Sequence, residues 1–384
     1  MYSLPAWVDP AKIEAGKQFV RDNFFAVFFA HLVSLIFLLC YAPVRKVLVQ
    51  TEKSDTRTRS LKRYLSTLVH IKSWYEQDIL NENGEAAKDI LRIRQVHARV
   101  SMTLSAKRDA TASSVHHNSL EMIDNQVVNI DLIQPSPANP DSHITMELVQ
   151  SIKSEFERLD EKYGNNNGPN LVACSQHVMS QLDMLVTQFC FVGFITTYPE
   201  LFGILSSRDS AGIEGFNHLW ALIGHLLGIQ AEFNICLERN ASKRKLVLSE
   251  ILLPEFMNCH VVTVRLWKFL LQGVQSFIPF ITLRAVLLFV CRLISEDEEL
   301  GSPVSSAGSL LFQGCSLYDR LCYFLMNKCF SQWLRFNIPR RAFNSLLRLA
   351  VFATSLRHLR RRNGLLFNKI SSTSWSAIFF KQQK

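Results

Sequence analysis

Apolar residues recur along most of this chain at intervals of three and four, the spacing of one face of an α-helix. Strict alternation, the mark of a half-buried strand, is rare. The clearest helical pair is Leu61–Gln77 followed by Ala86–Val100. In the first segment Arg63, Thr67, His70 and Trp74 fall at i, i+4, i+7 and i+11 and share a stripe. In the second, Ile90, Ile93, His97 and Val100 share a face, so a histidine interrupts an apolar stripe. Ser54 and Asp55 offer N-caps upstream, and Asn81–Gly84 is a stop signal between the two. An imidazole on such a face needs a partner, because a buried unpaired polar group costs about 1–3 kcal/mol. The plain reading is a satisfied core histidine, with Arg63 a surface charge and Thr67 a filler on the helix flank. The chemical reading is a ligand.

The remaining segments follow in order. Phe24 to Tyr41 carries no formal charge and is borderline in length for crossing a bilayer; a buried core helix is the rival. Residues 105–145 are polar, with His116-His117 and QPSPANP at 134–140, and read as a long loop or insertion. Met146 to Tyr163 reads as a charged amphipathic helix ended by the breaker Gly164 to Pro169. Gln176 to Thr196 is an apolar helix carrying Asp183, which must be paired, at a helix end, in a salt bridge or beside a pocket histidine or arginine. In a third helix, Glu214 to Asn234, His218 and His225 share a face. Gly224 and Gly228 would admit a second helix or a flat cofactor. A shorter helical piece at 243–260 breaks at Pro254. Val261 to Leu293 is strongly apolar and reads as a spanning or re-entrant helix, or as a core hairpin.

Composition supports helices: 48% hydrophobic residues and 27 Phe, against only 15 Gly and 12 Pro. Charge adds an asymmetry. The net charge is +9, yet Arg320 to Lys384 holds thirteen Lys/Arg and no Asp/Glu, which leaves −4 for residues 1–319. Leu, Phe, Trp and Ile interleave with those cations, a pattern that suits a membrane surface better than nucleic acid. Nine scattered cysteines form no C-x-x-C, so neither a disulfide framework nor a zinc site is indicated. No basic n-region leads directly into an apolar run, so no cleaved signal peptide is expected. Rossmann, serine-hydrolase, zincin and P-loop motifs are absent.

One set of motifs carries a resemblance. Arg63-x-x-x-Thr67 and Trp74 are followed by Val96-His97, then by SQLDMLVTQFCF with Asp183, Gln188 and Phe189, then by HLWALIGHLLGI with Trp220, Gly224 and Gly228. In order and spacing, over about residues 5–260, this resembles the family of the ER-bound oxygenase mpaB and the latex-clearing rubber oxygenases. The resemblance implies a globin-like helical core binding haem b, with His97 as the ligand of the iron. It implies Arg63 and Thr67 beside the haem, in hydrogen-bonding reach of a propionate, dioxygen or water, with His70 and Trp74 as pocket walls. Ser66 stands where rubber oxygenases can carry a lysine, and no carboxylate aligns with their proposed base, so haem binding is better supported than polyisoprene cleavage.

The expected fold is therefore all-α, a globin-like haem-binding core with additional apolar helices and a basic helical tail. The expected organisation is an oxygenase-like domain over 1–260, with an insertion at 105–145. An apolar segment at 261–294, a linker at 295–309 and a basic amphipathic tail at 310–384 follow. The expected activity is that of a haem b oxygenase using dioxygen on a hydrophobic, isoprenoid-like small molecule, associated with a membrane such as the endoplasmic reticulum; a cytoplasmic location is the alternative. Two rivals stand beside it: a non-catalytic helical membrane protein, and a non-haem iron site built from His97, His70 and Asp183.

Overall fold

A computed structural model of the chain describes residues 4–51, 54–114, 150–151, 178–237, 241–276, 278–295 and 310–370. Among these the structure is all-α, with no strand. The helices are α1 (Pro10–Asp22), α2 (Phe24–Cys40), α3 (Ala42–Gln50), α4 (Arg57–Glu76), α5 (Glu85–Ser114), α6 (Gln181–Thr197) and α7 (Ser206–Leu227). After these come the short α8 (Ala241–Leu246) and α9 (Leu253–Met257), then α10 (Val261–Val274), α11 (Leu283–Ser295), α12 (Leu310–Gln313), α13 (Leu317–Ser331) and α14 (Asn337–Ile370).

The uncharged run from Phe24 forms the axis of the core. All residues of α2 except Leu35 are buried, which is what a helix apolar on every side requires of a folded protein. Its two ends are tied to the C-terminal half. At the start, Asn344 of α14 accepts from the Phe25 N–H at 2.8 Å and donates to the Asp22 carbonyl at 2.8 Å. At the end, the Trp267 indole of α10 donates to the Ile36 carbonyl at 2.9 Å. A single cluster of buried side chains runs from Ile13 to Val351, so residues on both sides of the boundary expected at 260 share one core.

No single described helix is long and apolar enough to cross a membrane. Two pairs of helices pass on length and composition when taken together, Pro10–Asp22 with Phe24–Cys40 and Arg244–Met257 with Val261–Val274. They are bent by 89° and 101°. The apolar run at 261–293 divides into α10, which alternates buried and partly exposed positions, and α11, in which every residue from Ala285 to Cys291 is buried.

Several boundaries differ from the sequence reading, each for a local reason. The N-cap of α4 is Thr56, whose hydroxyl accepts from the Arg59 N–H, in place of Ser54 or Asp55. Helix α5 continues to Ser114 through SAKRDATASS, where alanines sustain a helix without an apolar stripe, so residues 105–114 of the expected loop are helical. Residues 115–145, the expected helix at 146–163 beyond Gln150-Ser151, and the linker at 296–309 lie outside the described residues. Helix α6 starts at Gln181, where Ser180 and Asp183 form a reciprocal capping box. Helix α7 starts two turns earlier than expected and ends at Gly228, whose φ of +96° is the left-handed C-cap conformation. At Pro254 the chain does not break: the helix widens into a π-turn over Val247–Leu252, and the Leu253 N–H bonds to the Leu248 carbonyl before α9 begins.

Candidate functional site

Helices α4 and α5 are joined by the short Gln77–Gly84 connection and pack antiparallel, so residues near the start of α4 face residues far along α5. The stripe predicted on α4 faces α5, but it divides into two sites of different character.

The site nearer the connection is closed by Asp89. Its carboxylate accepts from the His70 Nδ1 at 2.7 Å and from the Trp74 indole at 2.8 Å, and it pairs with Arg92 one turn along its own helix. Burial pushes the Asp89 carboxyl up, but Trp74, Arg92 and His70 together hold it below the ordinary carboxylate value. His70 and Trp74 are thus committed to a polar hub. Asp89 is absent from the residues singled out in the sequence. The antiparallel register that sets Arg63 against His97 also sets His70 against Asp89, so the signal was present in the short connection between the helices.

Two turns away lie Arg63 and His97. His97 is half-buried, and its Nδ1 is fully buried with no hydrogen-bond partner among the described residues. Desolvation first, and the nearby Arg63 charge second, lower its pKa, so the ring is neutral at physiological pH. The Arg63 guanidinium donates to the Ser54 hydroxyl at 3.0 Å. Crowding by surrounding protein brings its pKa down to about 10, yet its side chain still reaches the surface, and it remains a cation at neutral pH. The Thr67 hydroxyl donates back to the Arg63 carbonyl at 3.2 Å, which leaves its oxygen lone pairs available as acceptors. A neutral imidazole with an unpartnered buried nitrogen is the ligating form of histidine, and a cation beside it suits an anionic group such as a propionate. His97 and Arg63 therefore fit the chemistry of a haem edge, whereas His70 and Trp74 are occupied by Asp89.

Other residues of the resemblance are brought together as core. Asp183 completes the Ser180 capping box and accepts from the Tyr41 hydroxyl at 2.8 Å. The Gln188 carboxamide donates to the Trp220 carbonyl at 3.0 Å and to the Asn234 side chain at 2.9 Å. A Cβ at Gly224 would lie 2.3 Å from the Gln188 Nε2, so the space left by that glycine is filled by the amide of α6. Beside Gly228 stands the Arg94 guanidinium. The Trp220 indole donates to the Tyr75 hydroxyl at 2.9 Å, and its ring stacks on Phe191 at 4.9 Å. His218 accepts from the Asp9 N–H at 2.9 Å, and Trp7 packs edge-on to both His218 and His225, so those histidines seat the N-terminal segment.

With Asp183 bound to its cap and Tyr41, and His70 to Asp89, the triad of His97, His70 and Asp183 is not assembled. Among the described residues no three His, Cys, Asp or Glu side chains gather as a metal site. A small apolar cavity of about 10 Å³, lined by Phe25, Phe28, Tyr64 and Leu68 among others, touches none of the candidate residues. The core holds one further histidine that sequence reading passed over. His31 of α2 is buried among Phe28, Tyr75 and Phe191, donates from Nε2 to the Phe191 carbonyl at 3.0 Å, and leaves Nδ1 without a partner among the described residues. Burial pulls its pKa down to about 3.

No family model matches this chain, and no match is found among curated proteins or solved structures.

Proposed function

We propose that the α4–α5 pair forms one wall of a haem site and that the chain is a haem b-dependent oxidoreductase, using dioxygen on a hydrophobic, isoprenoid-like small molecule. The observation that carries this reading is the half-buried, neutral His97 with its unpartnered ring nitrogen beside the Arg63 cation. On this reading the all-α core is of the globin-like kind that the family resemblance implies. When bound, a histidine-held haem supplies an iron centre for dioxygen chemistry.

The chain's own residues have separate tasks. His97 holds the iron through a ring that burial keeps unprotonated. Arg63, anchored on Ser54, offers its remaining N–H groups to a propionate. Thr67 offers a hydroxyl one turn away on the same stripe. Asp89, by fixing His70, Trp74 and Arg92 at once, keeps α4 and α5 in register so that Arg63 and His97 stay opposed. It acts as a positioning residue.

The experiment is to express the full chain with haem supplied and measure haem content per protein for the wild type and for His97→Ala. The expected result is near-stoichiometric haem in the wild type and at least about a tenfold loss of affinity in the variant, by analogy with removal of other metal-site partners. A folded wild type that takes up no haem, or equal uptake by both proteins, would contradict the assignment.

A further inference from the structure

Apolar exposure is concentrated in one part of the molecule. Of the sixteen large hydrophobic residues exposed among the described residues, ten lie between Leu317 and Phe352. Scattered exposed leucines are ordinary on any protein, whereas a cluster of this kind marks a surface that is covered in use.

Helix α13 shows why. Cys322, Met326, Cys329 and Phe330 form its buried face, which faces the core beside α11. The opposite face carries Leu317, Leu321 and Phe324 at i, i+4 and i+7, exposed to 84%, 51% and 54%. A helix apolar on both faces has a second partner. The chain then passes through Phe336 and Ile338, exposed to 67% and 84%, into α14. There Asn344, Leu347 and Val351 turn inward while Leu349 and Phe352 turn outward.

Charge identifies that partner. Between Leu317 and Phe352 there are six Lys/Arg and one acidic residue, Asp319. The long helix α14 then continues through Arg357, Arg360, Arg361 and Arg362. Lys328 lies over the Phe324 ring at 5.7 Å, so cation and apolar surface are presented side by side. A second copy of this chain would bring the same positive face against itself. A nucleic acid would leave Leu317, Leu321 and Ile338 without use. An anionic bilayer takes both components: the apolar side chains enter the acyl boundary and the cations meet lipid headgroups.

We propose that the outer face of α13 and α14 docks this protein peripherally on an anionic lipid bilayer. The docking does not depend on the haem reading, and its test reads neither haem nor activity.

The test is flotation of the purified full chain with vesicles of phosphatidylcholine alone and with phosphatidylserine added, at low and high salt. The expected result is binding to the anionic vesicles, weakened about tenfold or more in their neutral counterparts or at high salt. Leu317→Ser with Leu321→Ser and Phe324→Ser should abolish binding. Arg335→Glu with Arg341→Glu should remove the preference for anionic lipid. Val69→Ser with Met102→Ser, exposed apolar residues elsewhere, should change nothing. Thermal melting and light scattering on the same proteins separate the other occupants. A triple variant that melts much lower has uncovered a contact with the chain's own segments, and a dimer that it dissolves is a self-interface. Either outcome would overturn the proposal, as would absence of binding by the wild type or undiminished binding by the triple variant.

Discussion

Three side chains illustrate how the same residue types take different roles according to their surroundings. His31, His70 and His97 are all ordinary imidazoles in the sequence. His70 reaches Asp89 and is a hydrogen-bonded member of a polar hub. The Nδ1 of His97 meets no partner among the described residues, and the ring is held neutral by burial and by Arg63. His31, deeper still, is neutral down to about pH 3. An unfolded chain takes up a proton at His31 near pH 6.5, while the folded chain does so only near pH 3. The unfolded state therefore binds more protons across that window, and stability falls as pH falls through it, by about 1.4 kcal/mol per pH unit from this group. Urea denaturation between pH 7 and pH 4 should show a shallower acid slope for His31→Leu than for the wild type. Equal slopes would show that His31 is not buried neutral. Asp89 acts with the same sign in a lower pH window: its pKa is depressed, so its contribution is present above the unfolded carboxylate pKa and is lost as pH drops below it. Asp89→Ala leaves the Trp74 indole and the His70 ring without their acceptor and should cost about 1–3 kcal/mol in equilibrium denaturation at neutral pH. A cost below about 0.5 kcal/mol, the scale of an ordinary surface substitution, would show that the hub is solvent-satisfied.

At the scale of elements, the helical periodicity was legible wherever one face is apolar: α4, α5, α6 and α7 all overlap the segments the spacing predicts. The ends were less legible, because they are decided by single caps. Thr56, Ser180 and Gly228 each set a boundary through one hydrogen bond or one backbone conformation. The stripe on α4 was found, but its division into the Asp89 hub and a separate Arg63–His97 end was not. That division depends on Asp89, which lies across a helix–helix interface. Gly224 carries a similar lesson. A glycine pair on an apolar helix suggested room for a second helix or a flat group; at Gly224 a second helix takes it, through the Gln188 amide, which links α6 to α7 and to Asn234. Gly224→Ala should force that amide out of its bonds. It should lower stability by about 2–4 kcal/mol, combining overpacking with unpaired buried groups, measurable as a shift of the urea midpoint. A midpoint unchanged from wild type would mean that Gln188 can move aside, and that the packing of α6 on α7 does not depend on this glycine.

For the whole molecule, burial separates two kinds of apolar helix that look alike in sequence. Helix α2 is apolar on every side and lies in the core, tied to α10 and α14 at its two ends. Helix α13 has an outer apolar face that remains exposed. Composition flagged both as membrane candidates; only the arrangement of surrounding helices distinguishes a core axis from a helix with an exposed apolar face. The central claim concerns the Arg63–His97 end of the α4–α5 pair, and the most direct test replaces the proposed ligand in place. His97→Gly, supplied with haem, should give a weak and altered Soret band compared with the wild type, and free imidazole should restore the wild-type band by occupying the vacated position. A His97→Gly spectrum identical to the wild type, or a folded wild type with no Soret band at all, would contradict the claim that His97 holds a haem iron.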